Sequence, residues 1–109
     1  MTEWKPLRVV EGLPLLGGEG RYRVRSRSEH GVLLEITYPA GVASPVHSHD
    51  HDSHVHLMSG HVTGTLGGEA VELRAGEVVV HPRGVPHSVV AVTGSTWLEF
   101  KSPPTIPLA

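Results

Sequence analysis

Glycine and proline limit this chain more than any other feature. The sequence carries 13 Gly and 9 Pro among 109 residues. A glycine inside a helix costs about 1 kcal/mol relative to alanine and a proline about 3. No stretch longer than about ten residues keeps a 3.6-residue apolar period without one of them inside it, so little or no helix is expected. The pieces between these breakers are short, fairly evenly spaced and rich in Val, Leu, Ile and Thr. That is the pattern of a small all-β sandwich or barrel. Strand candidates are 7–11, 22–27, 32–38, 54–59, 61–66, 70–73, 77–81, 87–93 and 96–101. Gly67-Gly68 reads as a tight hairpin turn. The proline-rich tail, 102–109, cannot enter a central strand and reads as an extended arm.

The length suits one domain, 1–109, near the lower limit of comfortable stability. Aromatic residues make up only 5%, so the core must be mostly aliphatic. A homodimer is expected, because it would cover strand surface that one small barrel leaves bare. With 9 Lys+Arg against 11 Asp+Glu, no basic field exists to hold nucleic acid or an anionic membrane. The absence of cysteine excludes disulfides, thiolate metal sites and a cysteine nucleophile. The first residues lack the apolar stretch of a signal peptide, and no apolar run approaches the ~18 residues of a membrane span. A cytoplasmic protein is the default expectation.

The histidines carry the chemistry. Six of nine, His47, His49, His51, His54, His56 and His61, fall within 15 residues. On an extended segment His47, His49 and His51 share one face. Neutral imidazole is the commonest metal ligand and suits Zn, Cu, Fe and Ni. Asp50 and Asp52, interspersed among them, are candidate acceptors for fixing the imidazole tautomers. A polar loop would explain the cluster less well, and an internal stretch broken by Asp, Ser, Val and Leu is not a purification tag. Further on, Gly76 leads through a strand to Pro82, Gly84 and Pro86, a rigid turn that mounts His87 at the start of the next strand. His87 thus becomes a third ligand candidate.

These two segments resemble the two motifs of the cupin superfamily, small β-barrels that hold one metal ion. Gly41, His47, His49 and Gly60 fit the first motif, G-x5-H-x-H-x(3,4)-E-x6-G, over about 41–60. Gly76, Pro82, Gly84 and His87 fit the second, G-x5-P-x-G-x2-H-x3-N, over about 76–91. The resemblance implies a double-stranded β-helix, or jelly-roll barrel. It also implies one divalent transition metal ion per chain, with Fe, Mn, Zn, Ni and Cu all open. The family's glutamate ligand is missing: its place is Ser53 with three intervening residues and His54 with four. The His54 register makes His47, His49, His54 and His87 the ligand set. It turns His54, His56 and Met58 inward and makes His56 the acid/base candidate, one pleat further along. The Ser53 register instead sends Val55 and Leu57 into the barrel and leaves three histidine ligands, with His51 in reserve. The motif's closing asparagine is Ala91 here.

Other residues have plainer readings. Arg21, Arg23, Arg25 and Arg27 alternate as on a charged edge strand that resists edge-to-edge pairing, with an anion-binding patch as the alternative. Arg83 stands near the barrel mouth, a candidate for a substrate carboxylate or a solvated turn residue. His30 and His81 have no partner pattern. Glu99 shares a strand face with Trp97, and would be a base there if that face is the inner one. The function implied is a metal-dependent enzyme of dioxygenase, isomerase or lyase type, acting on a small carbonyl- or enol-bearing molecule in the barrel. The alternative is a non-catalytic metal- or ligand-sensing module, which a closed four-histidine shell would favour.

Overall fold

The computed structural model describes residues 3–105, and among these there is no helix. Twelve strands form: β1 (Lys5–Leu7), β2 (Val9–Val10), β3 (Leu13–Pro14), β4 (Gly20–Arg27), β5 (Val32–Tyr38), β6 (Ala43–His47), β7 (Asp52–Ser59), β8 (His61–Leu66), β9 (Glu69–Arg74), β10 (Val78–His81), β11 (His87–Ala91) and β12 (Ser95–Ser102). A six-stranded sheet runs β1-β4-β5-β12-β7-β10 and a four-stranded sheet β6-β11-β8-β9, while β2 and β3 make a separate hairpin. The two larger sheets enclose one apolar core, with Leu34, Val55, Leu57 and Trp97 on one side and Val62, Leu73 and Ala91 on the other. This is the all-β jelly roll that the glycine and proline spacing and the two motifs imply. Of the arm expected at 102–109, Ser102 belongs to β12 instead, and residues 106–109 lie outside those described.

The inner face of the large sheet follows from strict alternation on three adjacent strands. On β5, Val32, Leu34, Ile36 and Tyr38 are buried; on β12, Ser95, Trp97, Glu99 and Lys101; on β7, Ser53, Val55 and Leu57. The registers set Trp97 between Ile36 and Leu57, Glu99 between Leu34 and Val55, and Lys101 between Val32 and Ser53. Two charged side chains therefore stand in an otherwise uncharged row.

The chain takes the Ser53 register in β7. His54 and His56 are exposed on its outer face, opposite Phe100 and Leu98 of β12. The cause is apolar burial: Leu57 is fully buried and Val55 nearly so, and the period of two then forces their neighbours outward. The inward placement of His54, His56 and Met58 is corrected accordingly.

Three further differences have local causes. The strand expected over 7–11 is divided between the end of β1 at Leu7 and β2 at Val9–Val10, and it stops there because Glu11 and Gly12 take left-handed φ values of 49° and 78° and turn the chain into the β2–β3 hairpin. Strand β6 contains Pro45, which hides it from sequence reading; the proline is tolerated because β6 is an edge of the four-stranded sheet. The arginine-rich β4 is not an edge, since β1 pairs with it, and Arg23 and Arg25 share the Glu35 carboxylate at 2.8 and 2.7 Å.

Candidate metal centre

Three buried histidines meet, two from the first motif and one from the second. His47 closes β6 and His87 opens β11, and these strands pair so that the two residues are direct cross-strand partners. His49 follows in the segment between β6 and β7. The turn before His87 is fastened to that segment: the Gly84 N–H donates to the His49 carbonyl at 2.9 Å, and the Arg83 N–H to Asp52 Oδ1 at 2.8 Å. Gly84 has φ 76°, a conformation that side chains rarely adopt, so glycine is what permits this docking. One ligand atom from each of His47, His49 and His87 lies within 4.8 Å of the others.

The hydrogen bonds decide which nitrogens face inward. His47 Nδ1 is 2.6 Å from the Pro45 carbonyl, His87 Nδ1 is 3.1 Å from the Val85 carbonyl, and His49 Nδ1 is 3.1 Å from Glu11 Oε2. Carbonyl and carboxylate oxygens only accept, so each Nδ1 carries the proton and each Nε2 presents a lone pair. His47 Nε2 and His49 Nε2 stand 3.1 Å apart. Two bare lone pairs at that distance repel unless a cation sits between them. Two imidazoles bound to one ion at ~2.0–2.1 Å would have nitrogens about 3.0–3.4 Å apart. The donor set therefore fits a divalent transition ion on both chemistry and spacing.

Burial keeps these rings neutral. Desolvation holds His47, His51 and His87 below the ordinary histidine range. It is also the largest cause at His49, pushed down to about 3 with help from the nearby Lys101 charge, and at His81, pushed down to about 4. Neutral imidazole is the form that binds metal.

The structure sorts the sequence candidates plainly. His47, His49 and His87 come together. His54 and His56 point to solvent from the far side of β7, so neither the fourth-ligand role of His54 nor the acid/base role of His56 has a geometric basis. His51, the reserve ligand, is buried and stacks on His49 with ring centroids 4.4 Å apart, but does not join the converging set. Its Nδ1 lies 3.2 Å from Ser53 Oγ and its buried Nε2 has no hydrogen-bond partner. Asp50 is fully exposed beside Arg83, and the Asp52 carboxylate takes the Arg83 N–H, so neither carboxylate orients an imidazole. Glu11 does so instead.

Sequence reasoning missed three contributors. Glu11 lies 38 residues from His49, and no local spacing connects them. His81 is buried at the end of β10 and stacks on His87 with centroids 4.0 Å apart; the alternation of Val79 and His81 was the available signal. Lys101 is buried beside Glu99, with Nζ 3.7 Å from Oε2. Glu99 Oε1 accepts the Trp97 Nε1–H at 3.0 Å. Burial alone would raise the Glu99 carboxyl, but Lys101, this hydrogen bond and the nearby histidines hold it below its ordinary value. Glu99, Lys101 and all three triad histidines line a cavity of about 360 Å³, whose other walls include Leu7, Val10, Ile36, Val62 and Trp97.

The chain matches the family described as Cupin domain over residues 34–100. Solved structures share its architecture. KdgF from Halomonas sp. superposes with a TM-score of 0.74 at 22% identity, covering 77% of this chain and 78% of that one. An RmlC-like cupin from Shewanella frigidimarina gives 0.75 at 24%, covering 81% and 79%. A predicted oxalate decarboxylase from Thermotoga maritima gives 0.72 at 18%, covering 79% and 82%. Likeness at these identities shows the fold alone. No curated protein matches the chain.

Proposed function

The chain belongs to the cupin family, and from that premise we propose that it is a metal-dependent enzyme acting on a small carbonyl- or enol-bearing molecule. The observation that carries this reading is the convergence of three Nε2 lone pairs on the wall of a cavity that also holds an anionic carboxylate. Three protein ligands, rather than four, leave coordination positions for substrate or water, which favours catalysis over a closed sensing site. When bound, a divalent transition ion would polarise a carbonyl oxygen and stabilise the negative charge that develops on it.

The chain's own residues supply the rest. Pro45, Val85 and Glu11 hold the three imidazoles in one tautomer, so the rings need no reorganisation. Glu99 replaces His56 as the proton-moving group. Its Oε1 is occupied by the Trp97 N–H, leaving Oε2 to take a proton from a carbon beside the substrate carbonyl and return it at a neighbouring atom. The reading is tested by incubating metal-reconstituted protein with small ketones and keto acids in D2O and following loss of the α-proton signal by NMR. Exchange should be catalysed by the wild type and fall by about 100-fold or more in Glu99→Gln; equal exchange in both would remove Glu99 from the reaction.

Among the described residues no helix is long and apolar enough to cross a membrane, and we place the protein in the cytoplasm. We also propose a homodimer. Met58, Val78, Val80 and Phe100 are exposed together on the outer face of β7, β10 and β12, beside His54 and His56, and β10 is an edge strand. An apolar face against an open edge is the kind of surface that a second copy covers.

A further inference from the structure

We infer that the cavity selects small carboxylates, and that Lys101 is the residue that recognises them. This inference rests on reading the cavity as a ligand pocket, and does not depend on the metal.

Lys101 is only 5% exposed, yet it lines the cavity. An ammonium group has three N–H donors, and burying it is costly unless they are paired and hydrogen-bonded. Among the described residues its one ionic contact is Glu99 Oε2 at 3.7 Å, an ion pair too long to be a hydrogen bond. Its cross-strand neighbours on the inner face, Val32 and Ser53, offer no charge. Glu99 meanwhile spends its other oxygen on Trp97. The pair is therefore balanced in charge but not in hydrogen bonds, and the ammonium keeps donors directed at the interior space.

The position of Lys101 adds a second argument. Directly across from it stands Ser53, where the motif would have its glutamate. At this place the chain carries a neutral hydroxyl and an adjacent cation rather than an anion. An occupant of the cavity therefore meets the Lys101 charge with no protein carboxylate from β7 to neutralise it. The remaining charges are Glu99 on the same strand and Glu11 at the rim, where it is engaged with His49. The walls are otherwise aliphatic, with Leu7, Val10 and Val62 among them. A molecule with one carboxylate and a compact apolar body matches both the donor and the walls.

The test is calorimetric titration with matched acid and amide pairs: acetate and acetamide, 3-methylbutyrate and its amide, phenylacetate and phenylacetamide. Metal content is measured on the same samples. The wild type should prefer the acids by about ten-fold, the scale of one charge-assisted hydrogen bond. Lys101→Met should bring acid affinity down to that of the amide. Glu99→Gln should tighten the acids relative to their amides by about three-fold or more, because it removes the competing carboxylate. That gain is not expected from a lysine with a purely structural role, and it keeps the inference testable if Lys101→Met fails to fold. Equal binding of acids and amides, retention of the acid preference in Lys101→Met, no tightening in Glu99→Gln, or no binding of any acid would each overturn it. Samples that take up no metal on reconstitution yet still prefer acids would uphold the role of Lys101 while counting against the metal reading.

Discussion

At the scale of single residues, the centre depends on which nitrogen of each imidazole is committed elsewhere. His47 and His87 are tied to carbonyls two residues upstream, whereas His49 relies on a side chain from a distant hairpin. Glu11→Ala should therefore weaken metal affinity by about 10- to 100-fold, the usual effect of removing a partner that orients a ligand. Competition with a chromophoric chelator measures this, and an unchanged affinity would show that Glu11 is incidental. Replacing His87 with Ala should abolish binding while circular dichroism still reports a folded barrel. His54→Ala and His56→Ala should leave metal affinity as it was, since both side chains face outward.

At the scale of the strand, β7 shows how far sequence reaches. Residues 53–57 alternate two sets, His54 and His56 against Ser53, Val55 and Leu57, and the motif's spacing after His49 admits either one inward. The contest is settled by apolar burial, which depends on what β5 and β12 present across the sheet. Leu57→Ala should cost about 2–5 kcal/mol in urea denaturation, while Met58→Ala on the other face, compared in the monomeric Val80→Glu background, should stay within about 0.5 kcal/mol. Comparable losses at both would contradict the register. Strand 32–38 was legible to the residue because its burial alternates strictly, and 61–66 because Gly60 and the Gly67-Gly68 turn bound it on either side. Strand β6 was not, since its Pro45 reads as a breaker until the sheet edge is known. Glu11, His81 and Lys101 were invisible as site residues for a related reason: each reaches the centre through the sheet order, and sheet order is not local in sequence.

At the scale of the whole molecule, burying five imidazoles in one small barrel makes folding depend on pH. The unfolded chain protonates its histidines near ~6.5, whereas His49 and His81 are held to about 3 and about 4 in the fold, and His47, His51 and His87 are also lowered. Between these limits the unfolded state binds more protons, so stability falls as pH falls. For metal-free protein the stabilisation should be complete above about pH 6.5 to 7 and be lost progressively toward pH 4. Urea midpoints across that range check the sign; a midpoint that rises on acidification would contradict it. Light scattering tests the assembly, which should give about twice the 11.7 kDa of one chain. Val80→Glu on the exposed β10 face should reduce it to the monomer.

The central claim is that one ion sits among His47, His49 and His87, and anomalous diffraction tests it most directly. Crystals of protein purified without added chelator, measured on both sides of the absorption edges of the first-row transition metals, should give one peak per chain about 2.0–2.3 Å from all three Nε2 atoms. The same data would identify the element. No peak after reconstitution, or a peak on His54 and His56 at the outer face of β7, would contradict the account.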